Sequence, residues 1–193
     1  MFALLLRLWP SLVASTQVLA VCGVLLGSIS YQFLNGELPC PLCVIQRLCF
    51  LLACTGPLVI LRMISREEAG VRIQARGFAL CILASLPGAL TSMRQVLLHI
   101  TAGDPGYGPP VMGMHLYSWA FVVFACLMFG SALGLLGLQE NPLSLPRWFT
   151  TSLNLLVLAI ATIIVLSTIV MEGWHWVLPD NPVHYELLRE IGL

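Results

Sequence analysis

The chain has 193 residues, of which 59% are hydrophobic and only 9% charged, with a formal net charge of zero; a water-facing surface needs roughly one quarter charged residues, so an ordinary soluble domain is excluded. All nine basic residues are arginine and nine acids balance them, which leaves no basic patch for nucleic acid. Seven cysteines, an odd number, argue against a closed disulfide framework.

Apolar stretches of about twenty residues, enough to cross a hydrocarbon core of roughly 30 Å, run over 11–33, 41–61, 78–99, 117–138 and 149–171. The first is flanked by Arg7, exceeds an ordinary signal-peptide core and is followed by further spans, so it reads as retained. The sequence therefore predicts an all-α membrane protein with five spans and no soluble domain between them. The whole of 1–193 forms one integral-membrane domain, ending in a tail over 172–193.

Arginine placement predicts the orientation. The connection after the second span carries Arg62, Arg66, Arg72 and Arg76 against Glu67 and Glu68, whereas the segments after the first and third spans carry only Glu37 and Asp104. The arginine-rich connection is then cytoplasmic, as are Arg7, Arg147 and the N-terminus. Five spans place the tail outside, where its four acids outnumber Arg189.

The outer loop over 101–116 is rich in turn formers, with Gly103-Asp104-Pro105-Gly106 and Gly108-Pro109-Pro110, and is expected to cap the bundle tightly. Tyr117, Trp119, Trp174 and Trp176 fall near the outer boundary and read as bilayer anchors. The last segment, 183–193, has the pattern of a short amphipathic helix lying on the outer surface.

One close cysteine pair stands at the outer start of the second span, in Cys40-Pro41-Leu42-Cys43. Pro41 suits the first helical position, where its missing N–H costs nothing. Cys40 is then approximately the N-cap and Cys43 the third helical residue, so unpaired N–H groups and the positive end of the helix dipole stabilise a thiolate. An oxidising compartment permits a cycling disulfide at that face; the bland alternative is an inert pair or half of a metal site. Cys22, Cys49, Cys54, Cys81 and Cys126 read as small hydrophobes buried in the membrane.

Arg47 lies four residues after Cys43, on the same helical face and roughly 6 Å deeper. Arg94, five residues before His99, sits at a comparable depth in the third span. Charges inside spans are costly and default to functional candidates, against the alternative that each snorkels to the headgroups. No carboxylate lies within either span to pair with them. A ligand oxygen of partial negative charge, such as that of a reduced quinone, would supply the partner, with Gln46 and His99 as further hydrogen-bonding candidates.

The run Cys40-Pro41-Leu42-Cys43-Val44-Ile45-Gln46-Arg47 resembles the signature of the bacterial disulfide-bond formation protein B (DsbB) family, and Met112-Gly113-Met114-His115-Leu116-Tyr117-Ser118-Trp119 resembles the start of its fourth helix. The resemblance spans 11–138. It implies a four-helix transmembrane bundle in the bacterial inner membrane that passes electrons from its cysteine pair, on the periplasmic face, to ubiquinone or menaquinone. It also implies that Cys43 adjoins the quinone, Arg47 assists the ring and Cys40 exchanges with a periplasmic thiol oxidoreductase of the DsbA type or another dithiol protein.

The chain departs from the family pattern twice. Residues 100–116 contain no cysteine, where family members usually carry a second pair, so a direct attack by the partner's thiolate replaces the two-disulfide relay. A fifth span over 149–171 and an external tail follow the resembling region. Two other functions compete with a thiol:quinone oxidoreductase. One is a non-catalytic accessory subunit that docks to another membrane-complex subunit. The other is copper handling by Met112, Met114, His115 and His99 near the cysteines, although their spacing matches no closed metal motif.

Overall fold

The computed structural model describes residues 2–175, 179 and 181–192. Five long helices dominate: α1 (Phe2–Asn35), α2 (Pro41–Ile64), α3 (Val71–Leu98), α4 (Leu116–Leu136) and α5 (Arg147–Glu172). A single 3-10 turn, Gly173–His175, and a short α6 (Glu186–Glu190) follow. All five long helices have the length and apolar composition to cross a membrane; the shortest, α4, has 21 residues and reaches about 31 Å at 1.5 Å per residue.

α1 to α4 close a ring in which α2 packs on α1 and α3, and α4 on α3 and α1. α5 lies outside that ring against α2 and α1, so the architecture is a four-helix bundle with a fifth helix leaning on it. Short connections make neighbouring helices antiparallel. The Cys40 end of the bundle therefore gathers the C-termini of α1, α3 and α5 with the N-termini of α2 and α4.

Small residues set the closest approaches, as expected where apolar surface alone gives no drive for helices to associate. A Cβ on Gly56 of α2 would collide with the backbone carbonyl of Gly77 in α3, and one on Gly88 of α3 with the ring of Phe124. Phe124 in turn stacks on Phe50 with centroids 3.9 Å apart. Gly56→Ala is expected to lower the unfolding midpoint in detergent. The neighbour is backbone and cannot swing away, so overpacking of about 1–3 kcal/mol outweighs the roughly 0.5–1 kcal/mol that alanine gains in a helix.

Several buried polar side chains are bonded within the bundle, although Gln17 Oε1 and Ser85 Oγ are buried without a partner. The Gln17 amide donates to Ser131 Oγ at 2.7 Å and to the Leu127 carbonyl at 3.0 Å. At the end away from Cys40, Gln74 joins α3 to the Gln139 backbone in both directions, and Arg7 Nε donates to the Asn141 carbonyl. Cys22, Cys49, Cys54 and Cys81 are buried in the bundle, and Cys126 is exposed on its outer face.

α5 buries Leu153, Ile160, Ile164, Ser167 and Met171, spaced three, four or seven apart, and turns Leu155, Leu158 and Leu166 outward. This one-sided pattern is that of a helix packed along one stripe.

Two expectations about the outer end need correction. Tyr117 is only 5% exposed, so it is a structural part of the bundle rather than a bilayer anchor; the half-buried Trp119 donates its indole N–H to the Val111 carbonyl at 3.0 Å. Trp174 is exposed as expected; Trp176 lies outside the described residues. The amphipathic segment expected over 183–193 contracts to the five residues of α6, which packs on α5 and on the 3-10 turn.

Candidate functional site

Cys40 has the extended backbone of an N-cap (φ −67°, ψ 165°), and its sulfur accepts the Cys43 backbone N–H at 3.3 Å. Pro41 opens the helix and supplies a residue with no N–H to satisfy. The first turn then brings the two sulfurs to 2.7 Å, so the pair is placed to exchange between dithiol and disulfide without rearranging α2. The hydrogen bond with Cys43, and then burial, push the Cys40 thiol above the usual range.

Gln95 of α3, 2% exposed, completes this end of the site. Its Nε2 lies 3.3 Å from Cys40 Sγ and 3.6 Å from Cys43 Sγ, while its Oε1 accepts from Gln46 Nε2 at 2.9 Å. An amide N–H bonds better to a charged sulfur than to a neutral disulfide. Gln95→Leu is therefore expected to favour the disulfide, raising the disulfide-to-dithiol ratio in a glutathione buffer about two- to tenfold, the worth of one net hydrogen bond. An unchanged ratio, read by alkylation and mass, would remove Gln95 from the redox site.

Arg47 stands on the same face of α2 and is 5% exposed. Its partners come from α1: Nε donates to Ser28 Oγ at 2.9 Å, Nη2 to the Ser28 carbonyl at 3.1 Å and Nη1 to Gln32 Oε1 at 2.6 Å. The missing carboxylate is thus replaced by neutral oxygens spaced four residues apart on one helix. These bonds leave other guanidinium N–H groups without a protein partner among the described residues.

Cys43, Gln46 and Arg47 converge on a cavity of about 340 Å³ between α1, α2, α4 and the loop before α4. Its walls are otherwise mainly apolar and aromatic, with Phe50, Tyr107, Leu116, Trp119 and Ala120 among them. Such a cavity, dry-walled with a few convergent donors, is the usual form of a small-molecule site. The loop is held in place over it. Tyr107 donates its hydroxyl to the Leu38 carbonyl at 2.6 Å, and burial pushes that phenol above its usual range. Asp104 accepts the Gly106 N–H at 2.8 Å and pairs with His99 at 3.1 Å; these contacts hold its carboxyl below the ordinary range. Gly106 has φ +72°, and a Cβ there would meet the His115 ring at 2.6 Å, so glycine is required.

The structure separates the sequence candidates. Cys43, Gln46 and Arg47 line the cavity, and Cys40 backs it. His99 is not a lining residue; it pairs with Asp104 and stacks on Tyr117, which does line the cavity. Arg94 is exposed, lines no part of the cavity and makes no hydrogen bond or ion pair among the described residues. The reason is rotational: Gln95, one residue on, continues the buried stripe of Cys81, Ser85, Gly88 and Ser92, which turns Arg94 about 100° away from it. Among the described residues no cluster of three His, Cys, Asp or Glu side chains could hold a metal ion.

Sequence reasoning passes over Gln95, Ser28, Gln32 and Tyr107. The first three leave a signal, since each is a polar residue at helical spacing on a stripe of an otherwise apolar span. Tyr107 sits in an irregular loop and leaves none.

A family model described as "Disulfide bond formation protein DsbB" matches residues 10–106, which run from α1 through α3 into the following loop and make up just over half of the chain. No curated protein and no solved structure matches the chain significantly.

Proposed function

This chain belongs to the family of disulfide bond formation protein DsbB, and from that membership we propose that it is a membrane thiol:quinone oxidoreductase that supports disulfide formation. The observation that carries the reading is the convergence of Cys43, Gln46 and Arg47 on one 340 Å³ apolar cavity. The lining fits a quinone: flat apolar and aromatic walls for a ring, and amide and guanidinium N–H donors for a carbonyl oxygen. A quinone, ubiquinone or menaquinone, would supply there an acceptor for two electrons and two protons.

The chain's own residues supply the rest. A partner dithiol reduces the Cys40–Cys43 disulfide by exchange: its thiolate attacks one sulfur, a mixed disulfide forms, and its second thiol closes the partner's disulfide. Cys40 and Cys43 are left reduced, and their reoxidation returns two electrons and two protons to the acceptor. We assign the exchange to Cys40 and the cavity side to Cys43, because only Cys43 lines the cavity. Cys40 is 5% exposed, so exchange there requires the residues packed around it to part. The arginine distribution supports an inner-membrane orientation with the Cys40 end periplasmic. The partner is a thiol oxidoreductase of the DsbA type or another dithiol protein.

The accessory-subunit reading keeps one observation in its favour, the absence of any cysteine over 100–116. One assay separates the two. Purified protein given a reduced dithiol protein and a short-chain quinone in detergent is expected to consume thiols in a quinone-dependent way. Thiol loss no faster than without the protein would leave the accessory reading standing.

A further inference from the structure

The C-terminal segment, outside the matched residues 10–106, reaches back into the site. Gln32, 1% exposed, stands between Arg47 and Tyr185. Its Oε1 accepts from Arg47 Nη1 at 2.6 Å, and its Nε2 donates to the Tyr185 hydroxyl at 3.2 Å. The Tyr185 ring packs against Leu38, Val44 and Met171, a small cluster that joins the start of α2 to the end of α5.

The short helix that Tyr185 opens is tied at both of its ends. Tyr185 is the N-cap of α6, its carbonyl accepting from Leu188 and Arg189 at 3.1 and 3.2 Å. From the other end of α6, Glu190 Oε2 accepts the Trp174 N–H at 3.2 Å. Gly173 has φ +66°, and a Cβ there would meet Glu190 Oε1 at 2.9 Å, so the glycine lets the chain turn close beneath α6.

We propose that Tyr185 is a positioning residue for the cavity reaction, acting through Gln32 on Arg47, and that α5 and the tail serve to seat its hydroxyl. The proposal rests on the thiol:quinone reading. The Gln32 amide must present its oxygen to the guanidinium, because the reverse orientation sets N–H donors against a cation. That leaves a buried NH2 group needing an acceptor, which the Tyr185 hydroxyl supplies. Without the hydroxyl the amide has an unsatisfied buried donor, and satisfying it elsewhere draws Oε1 away from Arg47. Arg47 then loses the bond that fixes one arm of its fork beside the cavity.

The test uses the full chain. Tyr185→Phe removes the oxygen and keeps the ring against Leu38, Val44 and Met171. It is expected to raise KM for a short-chain quinone about two- to tenfold, as for one net hydrogen bond, while the rate of mixed-disulfide formation with the dithiol partner stays unchanged. In an Arg47→Met background the same substitution is expected to add nothing, because the residue it acts through is gone. An unchanged KM for Tyr185→Phe beside an active wild type, or an equal effect in both backgrounds, would overturn the positioning role alone. A wild type with no quinone-dependent activity would overturn the thiol:quinone reading and this proposal with it.

Discussion

Cys43→Ala is expected to abolish quinone-dependent thiol oxidation, by on the order of 10³-fold or more, as for removal of other essential nucleophiles. The size follows from the chemistry: the electron pair leaves the protein as the disulfide re-forms, and a lone Cys40 cannot re-form it. Folding is spared, because Cys43 is only partly buried and alanine suits the first turn of α2. The variant should also trap its partner. With a partner that keeps one cysteine, loaded as its mixed disulfide with thionitrobenzoate, the Cys40 thiolate displaces thionitrobenzoate. Neither Cys43 nor a second partner thiol is left to break the new bond, so a covalent complex should appear on non-reducing gels for Cys43→Ala and not for Cys40→Ala. Retained turnover in Cys43→Ala would remove the cysteine pair from the reaction, and trapping by Cys40→Ala instead would reverse the roles assigned to the two sulfurs.

Arg47→Met is expected to raise KM for quinone about ten- to a hundredfold, the range for hydrogen bonds from a charged donor, with mixed-disulfide formation at Cys40 nearly unaffected. Methionine keeps an unbranched apolar stem in place of the arginine stem and keeps the wall apolar. Stability is expected to move less than activity. The substitution orphans Ser28 and Gln32 acceptors at about 1–3 kcal/mol each at most, but it also removes a buried cation whose desolvation cost is several kcal/mol. Arg47→Lys separates charge from geometry: the ammonium lacks the planar fork that spans Ser28 and Gln32, so an intermediate KM is expected. Equal losses in stability and in both half-reactions for Arg47→Met would make Arg47 a structural residue only.

The five helices were legible in the sequence because a membrane demands long apolar runs with their backbone bonds satisfied internally, and each observed helix covers most of its predicted span. The cysteine geometry was legible for a local reason. Pro41 fixes where α2 begins, and three-residue spacing fixes the rest. Arg47 was found as a charge in a span, but its partners were not, since Ser28 and Gln32 are brought to it by the packing of α1 on α2.

The direction in which Arg94 points was not legible for the same reason. Depth along a helix can be counted from the sequence, whereas the face that meets the bundle depends on neighbours, and here Gln95 takes the inner position. Trp119 and Tyr117 carried the composition of bilayer anchors yet are used to build the cavity wall. The contact between the tail and Gln32 spans 153 residues of sequence, and no local pattern encodes it.

We propose that the Cys40–Cys43 pair delivers its electrons to a quinone at the cavity beside Arg47. It is tested most directly in one anaerobic turnover, with pre-reduced protein, no dithiol present and an equimolar amount of short-chain quinone. Equimolar quinol and loss of two alkylatable thiols are expected, with the new disulfide mapped by mass to Cys40 and Cys43. Thiols that stay reduced beside unchanged quinone would contradict it.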